Sequence, residues 1–91
     1  MDRWTFLTNH ARVLLCIAED PAIRLREMSA RVGITERATQ RILADLVDRG
    51  YVSRVRIGRR NNYEVHPEMP FRHEAERTLP IGVLLSLIKH E

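Results

Sequence analysis

Apolar positions recur at a helical period up to residue 50, at a strand period over the next fifteen residues, and at a helical period again near the end. Residues 8–19 read TNHARVLLCIAE, with Thr8 or Asn9 as a good N-cap. Leu7, Ala11, Leu14, Leu15 and Ala18 fall on one helical face, and Val13, Cys16 and Ile17 on another. Only Arg12 and Glu19 make a polar strip. A helix apolar on both sides is buried on both sides, and so short a chain covers one side more easily than two. Glu19-Asp20-Pro21 breaks the helix, and Arg24-Leu25 is expected as a very short strand. A short helix follows over 26–32, with Met28 and Val32 inward and Gly33 as its stop. Thr35 caps a longer helix, 35–49, which Gly50 closes. Thr39, Ile42, Leu43, Leu46 and Val47 form its apolar stripe. Arg37, Gln40, Arg41, Ala44 and Asp48 occupy the opposite face.

Beyond Gly50 the period changes to two. Tyr51-Val52 and Val55–Ile57 read as a strand and Tyr63–Val65 as its return, around a turn holding Gly58 and two asparagines. On a strand, Arg54 and Arg56 share a face, while Arg59 and Arg60 sit at the tip. Pro67 and Pro70 mark an irregular connector. Residues 80–90 predict a last helix with Pro80 in its first turn. Its Ile81, Leu84, Leu85 and Ile88 share one face, and Val83 and Leu87 lie on another. The two end helices thus carry more apolar surface than one small core absorbs. That points to a homodimer joined through Val13, Cys16, Ile17, Val83, Leu84, Leu87 and Ile88, the alternative being that they pack on each other within one protomer.

Composition narrows the class. Ninety-one residues make one domain, 1–91, and a hydrophobic fraction of 44% is that of an ordinary globular chain. Net charge is only +3, but it is unevenly placed: Arg54, Arg56, Arg59 and Arg60 face a single acid, Glu64, within residues 51–66. A local basic patch on a near-neutral body suggests a polyanion docked at one place. Fourteen of the 15 basic residues are arginine. The codon bias of a GC-rich genome gives the same skew, so this carries little weight. The single cysteine, Cys16, allows no internal disulfide and fits a reducing cytosol. The longest apolar run, Val13 to Ala18, is too short to span a bilayer, and no secretory signal is expected.

Signs of catalysis are missing from the sequence. It has no HExxH, no paired cysteines, no phosphate-binding glycine loop and no GxSxG. His10, His66, His73 and His90 have no partner at helical metal spacing. The expectation is therefore neither enzyme nor cofactor, and no metal site within one protomer.

The segment EMSARVGITERATQRILADLVDRGYV resembles the winged helix-turn-helix of MarR- and ArsR-type bacterial transcription regulators. The Gly33-to-Gly50 spacing and the Tyr51-Val52 pair after it are similar to theirs. So is the arginine-rich hairpin RVRIGRRNNYEV. The likeness covers about residues 9–66. It implies an α+β, mostly α fold: a three-helix core with a two- or three-stranded β-wing plus a C-terminal helix. Residues 8–66 would be the DNA-binding core, and 67–91 the connector and C-terminal helix, with a possible part in dimerisation. It implies a cytoplasmic, homodimeric regulator of double-stranded DNA.

In such a motif the second helix enters the major groove. Arg37 and Arg41, one turn apart, suit two-pronged contact with guanine O6 and N7, and Gln40 does the same for adenine. Thr35 and the first-turn amides suit a phosphate. Arg54, Arg56, Arg59, Arg60 and Asn61 of the wing suit the backbone or a narrow minor groove. The competing readings are a solvated helix face and a charged sheet edge that resists aggregation. A metal- or ligand-responsive ArsR-type sensor, with His66 and His73 paired across a dimer, is one functional alternative. A protein-interaction module without DNA binding is another.

Overall fold

The computed structural model describes residues 4–88. Three helices come first: α1 (Asn9–Glu19), α2 (Leu25–Val32) and α3 (Glu36–Asp48). A hairpin of β1 (Val52–Ile57) and β2 (Arg60–Val65) follows. After a 3-10 turn at Glu74–Glu76 come the short α4 (Gly82–Leu85) and a second 3-10 turn at Ser86–Ile88. This is the mostly helical winged arrangement that the sequence pattern predicts.

Each helix boundary has a local cause. Thr8 is extended and its Oγ1 accepts the Ala11 amide at 3.1 Å, opening α1. Asp20 leaves helical geometry before Pro21, which has no amide to continue the ladder. Gly33 ends α2 at φ 84, where a side chain would be strained, and the amides of Gly33 and Ile34 both donate to the Ser29 carbonyl. Thr35 opens α3 by accepting from the Ala38 amide at 3.0 Å. Gly50, also at φ 84, turns the chain out of α3 into the wing.

The core draws on the first three helices, the base of the wing and the residue before α4. Val13, Leu14, Cys16 and Ile17 of α1 meet Met28 of α2, Ile42, Leu43 and Leu46 of α3, Val52 and Tyr63 at the base of the wing, and Ile81 next to α4. Burying each large aliphatic side chain contributes about 1.5–3 kcal/mol. The seam between α2 and α3 contains two buried polar side chains, Ser29 and Thr39. Their hydroxyls lie 2.9 Å apart, and each also reaches the carbonyl four residues back, Leu25 at 2.8 Å and Thr35 at 2.9 Å. On the surface, His10 of α1 bonds Asp45 of α3 at 2.8 Å, and Arg31 of α2 donates to Glu19 of α1 at 2.6 Å.

Four expectations need correction. First, one protomer encloses the α1 side that carries Val13, Cys16 and Ile17, together with Leu14, while Leu7, Ala11, Leu15 and Ala18 stay half-buried. Val13 and Ile17 are fully buried and Cys16 is 6% exposed, because α2, α3 and β2 all pack around α1. These three residues therefore have no surface to offer a second copy. Second, Arg24-Leu25 is not a strand: Leu25 starts α2, and Arg24 is the extended residue before it. The preceding segment meets the sheet through one main-chain bond, Tyr63 amide to Pro21 carbonyl at 2.9 Å, so the sheet has two strands. Third, the asparagines are not in the turn. Gly58, at φ 62, and Arg59 make a two-residue loop, while Asn61 and Asn62 pair with Arg56 and Val55 inside the ladder. Glycine at the first of two loop positions supplies the positive φ that a tight hairpin needs.

The fourth correction concerns the last helix, which has four residues before tightening into a 3-10 turn. Residues 89 and 90 of the predicted span lie outside the described residues. Its start is fixed by close packing on the connector: the Gly82 amide donates to the Pro67 carbonyl at 2.9 Å, and a Cβ on Gly82 would stand 3.2 Å from Pro67. The connector itself closes on itself, with Phe71 bonded to Leu79 and Ile81 to Met69. The split of apolar positions near the end holds. Ile81 is buried, Leu84, Leu85 and Ile88 are half-buried, and Val83 and Leu87 are exposed.

Candidate nucleic-acid interface

The outer face of α3 is set by the helical period. Thr39, Ile42, Leu43 and Leu46 are buried, which turns Arg37, Gln40, Arg41 and Ala44 to solvent, all four exposed. These four make one contiguous strip, since residues three and four apart are neighbours on a helix. Among the described residues neither Arg37 nor Arg41 has an acidic partner within ion-pair distance. The small Ala44 lets an opposing surface approach closely. Thr35 stands at the N-terminal end of the strip. Its oxygen is occupied by the Ala38 amide, but its hydroxyl proton is left to donate outward.

The wing's two faces follow from its register, because residues directly opposite in an antiparallel pair share a face. Val52 opposes Val65, Arg54 opposes Tyr63, and Arg56 opposes Asn61. The base of that face is buried through Val52 and Tyr63, and the face becomes cationic toward the tip. Arg54 lies over the Tyr63 ring, 6.0 Å from its centroid, a cation–π distance that holds the guanidinium without neutralising it. The other face holds Ser53, Val55 and Ile57 against Glu64, Asn62 and Arg60. Val55 and Ile57 are well exposed there.

The four wing arginines are exposed but not equivalent. Arg59 is in the loop. Arg60 opens β2, and its Nη2 donates to the Ala22 carbonyl at 2.8 Å. It thus braces the wing against the segment between α1 and α2, a bond spanning 38 positions that no local pattern reveals.

Sequence reasoning passed over Arg24. It lies with Arg59, Arg60 and Asn61 around a concavity of about 390 Å³ between the wing and the start of α2. The only sequence signal is an oddity of position: Arg24 occupies the N-cap of α2 and makes no side-chain cap bond, where Ser, Thr, Asp or Asn is preferred.

Two of the described histidines make side-chain contacts near the wing and connector. His66 Nε2 is 2.6 Å from Ser53 Oγ, and His73 Nδ1 accepts the Ala75 amide. Among the described residues no group of three or more His, Cys, Asp or Glu side chains is placed to hold a metal ion. Nor is any described helix long and apolar enough to cross a membrane. Of the side chains expected at a dimer interface, Val83 is 51% and Leu87 67% exposed, while Leu84 and Ile88 are half-buried against their own protomer.

Comparison with known proteins agrees with this geometry. No curated protein sequence matches the chain. Among solved structures, a predicted DNA-binding transcriptional regulator from E. coli is similar, with TM-score 0.59 and 19% identity over 86% of this chain and 70% of that one. The zinc-dependent MarR family transcriptional regulator AdcR, in its Zn(II)-bound state, is similar at TM-score 0.50 and 16% identity, over 71% of this chain and 47% of that one. At such identities the likeness is one of fold. The sequence model of the MarR family matches residues 5–59, more than half the chain. The chain therefore belongs to the MarR family, whose members are transcription regulators and not enzymes.

Proposed function

We propose that this regulator binds double-stranded DNA sequence-specifically, with α3 in the major groove and the wing on the adjoining backbone or minor groove. The observation that carries the reading is the strip Arg37, Gln40, Arg41 and Ala44, exposed on the side of α3 opposite its buried stripe. Two guanidinium groups without acidic partners and one amide, on a rigid helix, suit the donor and acceptor pattern of the major groove. Thr35, Arg54, Arg56, Arg59 and Asn61 surround the strip as backbone contacts, which position the protein without reading sequence. Arg60 joins them through its brace on Ala22.

The functional unit in this proposal is a homodimer in the bacterial cytoplasm, joined through the exposed Val83 and Leu87 with the edges of Leu84 and Ile88. Two copies of α3 would then meet half-sites about 34 Å apart in an inverted repeat. The test is binding of the purified chain to duplex DNA, duplex RNA and single strands at low ionic strength, followed by selection of bound genomic fragments. Preference for duplex DNA and enrichment of an inverted repeat are expected. Equal binding to all three, or to none, overturns the proposal.

A further inference from the structure

We infer that the notch between the wing and the start of α2 is a seat for one backbone phosphate of the duplex. Arg24 and Arg59 would be its two ligands, and Arg60 the strut that holds the notch open. The inference rests on the DNA-binding reading above and adds a contact residue, Arg24, to it.

Three observations carry it. The notch brings three arginines and an asparagine together over an apolar floor of Ala22, Ile23, Leu25 and Tyr63. Among the described residues none of the three arginines is within ion-pair distance of a carboxylate. Glu27 and Glu36 share a separate concavity with Arg24, but no carboxylate lines the notch itself, and the like charges gathered there are relieved when an anion sits between them. The third observation is the brace. Arg60 is bonded to Ala22 and Tyr63 to Pro21, so the wing wall and the α2 wall are fixed relative to each other. Of the three guanidinium groups, Arg60 spends a donor on the protein, whereas Arg24 and Arg59 make no side-chain hydrogen bond among the described residues. A guanidinium has its donors in a flat fork that matches phosphate oxygens.

The test is the salt dependence of duplex binding for the intact chain and for Arg24→Ser, Arg59→Ala and the double variant. Serine is chosen because it caps helices well, so a folding defect is not expected, and a melting curve checks this. Each phosphate contact contributes about 0.9 to the slope of log K against log salt. If both arginines hold one phosphate, the double variant loses about 0.9 of slope, whereas two separate phosphates would cost about 1.8. Arg24→Ser should weaken all duplex sequences alike and leave base preference unchanged. A second readout replaces single phosphates with neutral methylphosphonates. One position should weaken the wild type several-fold and have no further effect on the double variant. Unchanged duplex affinity for Arg24→Ser, or a loss of about 1.8 in the double variant, overturns the shared seat while leaving the DNA-binding reading intact. Failure of the wild type to bind any duplex overturns the reading itself.

Discussion

The hydroxyls of Ser29 and Thr39 meet at 2.9 Å inside the seam that joins α2 to α3. Each also lies within 2.9 Å of its own i−4 carbonyl, so two protons serve three contacts. The pair ties the angle between the two helices to a directional bond, where apolar packing alone would let them slide. Ser29→Ala and Thr39→Val should each cost about 1 kcal/mol. The double variant should cost less than the sum, with a coupling of about 0.5–1.5 kcal/mol in denaturant unfolding. Additive losses would show that the hydroxyls act separately.

Gly33 has nothing within 4 Å of the place a Cβ would occupy, yet its φ is 84. Space therefore does not require glycine here, but backbone conformation does. Gly33→Ala should destabilise the fold by about 1 kcal/mol, measured as a fall in the denaturant midpoint at constant slope. Asparagine tolerates this region better, so Gly33→Asn should cost less.

Ile17 and Leu87 separate core from interface. Ile17→Ala should cost about 2–5 kcal/mol of stability, since the side chain is wholly enclosed. Leu87→Glu, at 67% exposure, should leave the melt of dilute protein nearly unchanged. In the proposed dimer it should shift sedimentation to the monomer. A Leu87→Glu protein that still sediments as a dimer would move the interface elsewhere.

On α3, Arg41→Ala should cost about 1–3 kcal/mol at one base position and relax the preference there. Competition assays with single-base operator variants measure it. A uniform loss across all variants would make Arg41 a phosphate contact instead.

Burial pushes the Cys16 thiol up, with Arg31 opposing and Glu19 and Glu27 adding to the rise. The sign follows from linkage. Folding holds the thiol protonated, so this contribution is complete below the unfolded-state value of about 8.5 and is lost as pH rises above it. Cys16→Val should show a flatter decline of stability at alkaline pH. Alkylation of native Cys16 by iodoacetamide should be much slower than in denaturant.

The exposed face of α3 was legible because it depends on period and caps alone. Thr35 and Gly50 bound α3, and a strict stripe from Thr39 to Leu46 leaves Arg37, Gln40 and Arg41 no other direction. What failed was any inference that needed distant partners. Periodicity shows that α1 is apolar around most of its circumference, but not that α2, α3 and β2 all belong to the same chain's wrapping of it. Asn61 and Asn62 have the composition of a turn, but glycine alone supplies the φ that a two-residue loop requires. The brace from Arg60 to Ala22 and the tight seat of Gly82 on Pro67 depend on tertiary proximity, so an arginine expected to be free is tied and a helix expected to be long is short.

Tyr51 touches three parts of the molecule through hydrogen bonds. Its amide donates to Leu46 at the end of α3, its carbonyl accepts from His66 just after the wing, and its phenol donates to Pro70 in the connector. The tail packs on that same connector through Ile81 and Gly82. A partner that pulls on the tail therefore also pulls, one residue removed, on the end of the helix proposed to enter the major groove.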